Sequence, residues 1–175
     1  VEAQAVSAVV EALYLHLKND YHLRYEYEVR HNPVTETQVI RLPQHIEREG
    51  RGTCVDLVLL FLGCLANAKV KPVYVQLLLK NAKGELIAGH ALAGAWLVEP
   101  YKKGPVLLSL DSARQYVNRG QLLLLDCTGF VEGYPSRQHK LSFDEAVDEA
   151  KRLLEEVEVQ FVVDIRRAQE KGHDR

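Results

Sequence analysis

From Val55 to Ala68 the chain reads VDLVLLFLGCLANA, and Asp56 is the only charged residue in it. Apolar side chains at every angular position leave a helix here with no face to offer to water, so it must be buried among other elements. Such a helix requires layers on more than one side of it. A chain of 175 residues is long enough to supply those layers from one domain without disulfides or a structural metal. The start of the helix is equally marked. Thr53-Cys54-Val55-Asp56 places a threonine at the N-cap and an acid three residues on, a variant of the capping box. The densest apolar run, Leu57 to Leu65, covers about half of the ~20 residues a membrane span needs.

The flanking segments suggest what surrounds this helix. Residues 3 to 18 have the spacing of an amphipathic helix, and Leu23 to Val29 alternate like a half-buried strand. His31 to Pro43 reads as irregular, and Gln44 to Glu49 as a short helix closed by Gly50 and Gly52. Strands are expected over Val73 to Leu79, Leu86 to Val98 and Gln121 to Cys127, the first two joined by a turn at Asn81-Ala82-Lys83-Gly84. Neither face of the second strand is polar, so it should be covered on both sides, with Ala91, Ala93 and Ala95 allowing a helix close approach. Asp111 reads as the cap of a short helix, and Ser142-Phe143-Asp144-Glu145 as a capping box opening a helix to about Glu156. Val157 to Val163 could add a last strand. The expected architecture is a single α+β domain over residues 1–165 with a buried central helix on a mostly antiparallel sheet, followed by a charged tail at 166–175.

Composition narrows the partners. Twenty-two Lys+Arg against 24 Asp+Glu, scattered along the chain, offer no basic stripe for nucleic acid or an anionic membrane. The N-terminus lacks a signal peptide's basic region. Three cysteines, an odd number without CxxC spacing, argue against a disulfide framework or a structural zinc site and for a reducing compartment, so a cytoplasmic location is expected. No methionine occurs, even at position 1, which suggests a domain cut from a longer protein whose other domains are candidate partners.

A cysteine in the first turn of a buried helix is a chemical opportunity, because unpaired N–H groups and the macrodipole favour the thiolate. Cys64, in the same helix, illustrates the alternative, a thiol that only fills space. His90 lies early in the second strand and Asp126 at the end of the third. An antiparallel register pairing them also pairs Leu92 with Leu124 and Gly94 with Leu122, keeping apolar residues together. Cys54 would then have a base in His90, and His90 an orienting acceptor in Asp126. Asp111 is the alternative orienter, and Gln38 or the backbone N–H of Cys54 a donor to an oxyanion. The same three residues could in principle ligate a metal, but no closely spaced ligand pair supports one, so no metal or other cofactor is expected. His16, His22, His31, His45, His139 and His173 read as surface residues, and Trp96 as core.

The phrases Gly52-Thr53-Cys54-Val55-Asp56-Leu57, Gly89-His90-Ala91 and Leu125-Asp126-Cys127-Thr128, in that order, resemble the transglutaminase-like superfamily. Lys71-Pro72-Val73 after the helix fits as well, and Cys127 stands where proline is common. The likeness spans roughly residues 10 to 130 and, with Gln38, Ile40, Arg41 and Pro43 upstream, is similar to domains embedded in large bacterial proteins. It implies a papain-like cysteine-protease core with Cys54, His90 and Asp126 as the catalytic triad. The implied activity is thiol-dependent hydrolysis or acyl transfer on an amide, peptide or ester carbonyl, the substrate being a peptide, a protein or a small molecule. The competing expectation is a non-catalytic interaction module that keeps the fold.

Overall fold

The computed structural model describes residues 2–27, 39–98 and 105–172. Helix α1 (Glu2–Asp20) leads through a two-residue strand β1 (Arg24–Tyr25) to α2 (Pro43–Glu49), β2 (Arg51–Gly52) and α3 (Cys54–Asn67). Strands β3 (Pro72–Lys80) and β4 (Leu86–Trp96) form a hairpin, followed by β5 (Leu107–Leu108), α4 (Leu110–Asn118) and β6 (Leu122–Leu125). A 3-10 turn at Cys127–Phe130 precedes α5 (Phe143–Glu156), β7 (Glu158–Asp164) and α6 (Ile165–Glu170). The main sheet is antiparallel with order β5-β7-β3-β4-β6. The molecule is therefore α+β with an antiparallel sheet. None of the helices among the described residues is long and apolar enough to cross a membrane.

Strand β4 shows why the sheet sits in the middle. Ala91, Ala93 and Ala95 pack into one core with Leu57, Val58 and Phe61 of α3 and Val10 and Tyr14 of α1. Leu92 and Trp96 pack into a second with Ala113 and Val117 of α4 and Leu153 and Leu154 of α5. Both faces are covered, as an all-apolar strand requires. Small side chains bring α3 close to the strand. On the other face Gly94 leaves no room for a side chain beside its neighbouring strands, since an added Cβ would lie 2.8 Å from Leu124 and 3.0 Å from the Val73 side chain. Trp96 belongs to the core as expected, and its indole N–H donates to Asp164 at 3.0 Å.

Several expectations need correction. Helix α3 is buried at Cys54 to Val58, Phe61, Leu62 and Leu65, but Leu59, Leu60 and Cys64 are half-buried and Gly63 and Ala66 are exposed. The neighbouring helices cover its outer face only in part, leaving an apolar hollow of about 240 Å³ lined by Leu13, Leu17, Ile46, Leu60 and Cys64 among others. Of the strand expected over Leu23 to Val29, only Arg24 and Tyr25 pair, in parallel with Arg51 and Gly52, and residues 28–29 lie outside the described ones. Ser109, not Asp111, caps α4, its side chain accepting from the Ser112 N–H at 3.2 Å. The third strand stops at Leu125, since Asp126 caps the 3-10 turn that carries Cys127 into the core. The expected charged tail instead begins with a helix, α6, whose Arg167 is buried beside the Asp164 cap.

Candidate active site

The site is built where α3 starts, where β4 begins its buried half and where β6 ends. The Thr53 side chain accepts from the Asp56 N–H at 3.3 Å, and the Asp56 carboxylate accepts from the Thr53 N–H at 3.0 Å, so the capping box is complete. Asp56 is fully buried, and Arg41 supplies its counter-charge. The Arg41 backbone N–H donates to it at 2.8 Å and the guanidinium at 3.0 Å. Arg41 also reaches Glu26 at 2.6 Å. This network anchors the first turn of α3 and with it Cys54, which is 6% exposed.

His90 is 3% exposed and Asp126 1%. The β4–β6 register pairs Ala93 with Leu125 and Gly94 with Leu124, two residues away from the expected alignment. A slip of two leaves every side chain on its own face, unlike a slip of one. The two residues still meet, with His90 Nε2 3.3 Å from Asp126 Oδ1. That nitrogen has no partner in hydrogen-bond geometry, so the contact is one of proximity rather than a formed hydrogen bond. The Cys54 thiol is near enough to the ring to favour its charged form as well. Three side chains from separate stretches of chain thus form one row of thiol, imidazole and carboxylate. Burial works against the imidazolium, but Asp126 and Cys54 outweigh it and lift His90 to about 10. Burial likewise opposes the Asp126 charge, and His90 and Arg137 overcome it, holding the carboxyl well below its ordinary range.

The sequence reading missed the residues around this row. The Tyr25 hydroxyl lies near enough to the Cys54 thiol to be raised by it, and its ring packs edge-on against Tyr134 at 4.8 Å between centroids. Tyr134 lies 6.4 Å from the His90 ring. Tyr74 and Tyr134 are both pushed up to about 12, chiefly by burial, and both feel Cys54. Tyr74 donates to the Gln76 amide at 2.6 Å, and that amide donates to the His90 carbonyl at 3.1 Å, which fixes the backbone under the imidazole. Arg137 donates to Asp126 Oδ2 at 2.7 Å. The one available signal was the dense Tyr25-Glu26-Tyr27 phrase, which strand alternation explained equally well.

Tyr25 also lines an open hollow of about 510 Å³ with Arg24, Glu26, Glu49, Gly50 and Arg51. Tyr25 thus borders that hollow and also lies near the thiol. Gln38, expected as an oxyanion donor, lies outside the described residues, as do His31 and His173. His16, His22 and His139 are exposed, while His45 is half-buried. Cys127 is fully buried, and burial raises its thiol well above the ordinary value. Among the described residues no group of three or more His, Cys, Asp or Glu side chains is arranged to hold a metal. No family model, curated protein or solved structure matches this chain.

Proposed function

We propose that the protein is a thiol-dependent hydrolase or acyl transferase acting on amide, peptide or ester carbonyls, with the papain-like core of transglutaminase-like domains. The observation that supports this reading is the row of Cys54, His90 and Asp126 at the head of a buried helix. A packing cysteine needs no buried imidazole beside it, and a buried imidazole needs no carboxylate unless it is to carry charge.

In this reading the Cys54 sulfur attacks the carbonyl carbon while His90 holds the thiol's proton. The tetrahedral intermediate collapses with cleavage of the carbon–nitrogen bond, His90 gives its proton to the departing amine, and the acyl group stays on sulfur as a thioester. Water, deprotonated by the now neutral His90, releases the acid and restores the thiol. An amine in place of water yields a new amide. The backbone N–H of Cys54 at the start of α3 is the oxyanion donor this route requires. Asp126 supports the imidazolium without taking its proton.

The near-complete burial of Cys54, His90 and Asp126 favours a second reading, an interaction module that keeps the fold without turnover. An activated ester separates the two. With p-nitrophenyl acetate the hydrolase reading expects a burst of one p-nitrophenol per chain and an acetyl mass on Cys54, both lost in Cys54→Ala. Release without a burst, or acetyl shared equally with Cys64 and Cys127, would sink it.

A further inference from the structure

Asp126 serves two cations at once, and the second has no part in the steps above. Its Oδ1 faces His90 Nε2 at 3.3 Å and accepts from the Thr128 N–H and hydroxyl at 2.9 and 2.7 Å. Its Oδ2 accepts from Arg137 Nη2 at 2.7 Å, while Arg137 Nη1 donates to the Thr128 hydroxyl at 2.7 Å. The guanidinium thus spans both ends of the Asp126–Thr128 unit. Its side chain is 13% exposed, its plane rests on the Tyr134 ring at 4.5 Å, and Glu149 of α5 stands 3.6 Å away. A surface arginine pairing for solubility would not be held from four sides.

We propose that Arg137 is the positioning residue of the site: it holds the Asp126 carboxylate at its outer oxygen, keeping the inner oxygen turned to His90, and its positive charge limits how firmly His90 retains a proton. The inference rests on the acyl-transfer reading only for its consequence in catalysis; its electrostatic half stands without it. A buried carboxylate facing a single imidazole would keep that imidazole protonated over a very wide pH range, which serves proton donation and defeats proton acceptance. A fixed cation on the far oxygen draws off part of that field. The charged and titratable groups in reach of the His90 ring are Cys54 from α3, Asp126 after β6 and Tyr134 from the following loop, with Tyr25 reaching it through the thiol. Arg137 and Glu149 act one contact further out, through Asp126.

The test follows the His90 ring by NMR through a pH titration of the full chain in a Cys54→Ala background, which removes the thiol's own influence. Adding Arg137→Gln should raise the pH at which His90 loses its proton by about one unit, the low end of what one nearby charge does. Arg137→Lys, which keeps the charge but not the planar fork, should leave the titration in place. With Cys54 present, Arg137→Lys should slow the acyl burst several-fold, because a single ammonium lacks the planar fork that bonds Asp126 and Thr128 together. An unmoved His90 titration in a folded Arg137→Gln chain overturns the proposal. Should Arg137→Gln not fold, Arg137→Lys decides alone: a slowed burst with an unmoved titration supports the proposal, and a native burst rate overturns it. Without any native burst, the His90 titration of Arg137→Met decides: a rise supports the proposal and an unmoved titration overturns it. A moved titration in Arg137→Gln together with no burst in the native chain would leave Arg137 as positioning residue and remove the acyl-transfer reading.

Discussion

Helix α3 carries a cysteine near each end, and the two ends differ in almost everything but the residue. Cys54 sits in a turn where Thr53, Asp56 and Arg41 satisfy one another, with the His90 and Tyr25 side chains near its sulfur. Cys64 borders an apolar hollow, and burial alone raises its thiol. His16 lines that same hollow but spends its ring on Asp20, at 2.5 Å, and has no hold on Cys64. A histidine and a carboxylate lining the same hollow as a cysteine therefore do not by themselves line up with it. At the Cys54 end the β4–β6 pairing brings an imidazole and a carboxylate into line with the thiol.

The largest way to break this contrast is Asp126→Asn. If the Cys54 end is a working triad, acylation of Cys54 should slow by up to ~10⁴, the scale of the corresponding change in serine-protease triads, with circular dichroism unchanged. Acylation at the native rate would make the two cysteines equivalent. Next comes Asp56→Ala. Removing the carboxylate leaves the Thr53 and Arg41 backbone N–H groups without their acceptor, so urea unfolding should show a loss of about 3 kcal/mol, whereas Cys64→Ala at the other end should cost less than about 1 kcal/mol. Equal losses would mean that the polar turn contributes no more than the apolar one.

Two smaller effects sharpen the comparison. Tyr25→Ala removes a large side chain beside the thiol, so iodoacetamide should label Cys54 several-fold faster by mass spectrometry while Cys64 labels as before. No change would show that Tyr25 does not screen the thiol. The smallest effect is on stability against pH. The Asp126 carboxyl is lowered in the folded chain, so its contribution is present above the ordinary carboxylate value of about 4 and fades as pH falls through the folded one. His90 is raised to about 10, so its contribution is complete below the ordinary histidine value of about 6.5 and is lost as pH rises toward 10. Urea midpoints should therefore decline at both ends, and Asp126→Asn should flatten both declines; a parallel curve for the variant would deny the pair its role.

Local signals in this chain were legible where one short stretch carried all the information. Both capping boxes, at Thr53 and Ser142, form as their spacing demands, because the donor and acceptor are three residues apart and need nothing else. The β3–β4 hairpin follows from its turn, and the two-sided burial of β4 from its unbroken apolar run. The end of the third strand was not legible, because Asp126 is as good a cap as it is a strand residue, and the cap won by hydrogen-bonding Thr128. Partial exposure of α3 escaped for a related reason. Its composition states what the helix would prefer, while the extent of α1 and α2 decides how much cover exists.

The sequence by itself determined that a buried helix starts at Cys54, that strands follow it, and that Cys54, His90 and Asp126 occur in an order able to form a triad. Those are properties of periodicity, capping and chain order. Only the tertiary structure decided that the three meet, that the register is two residues from the expected one, that Tyr25, Tyr74 and Tyr134 gather near the thiol, and that Arg137 takes the second oxygen of Asp126. The physical reason is separation along the chain. Arg137 comes from an irregular loop with no period to read, and Tyr25 is brought to Cys54 by two residues of parallel pairing with Arg51 and Gly52. Contacts of that kind are set by where the packed layers leave room, and no local stretch of residues encodes them.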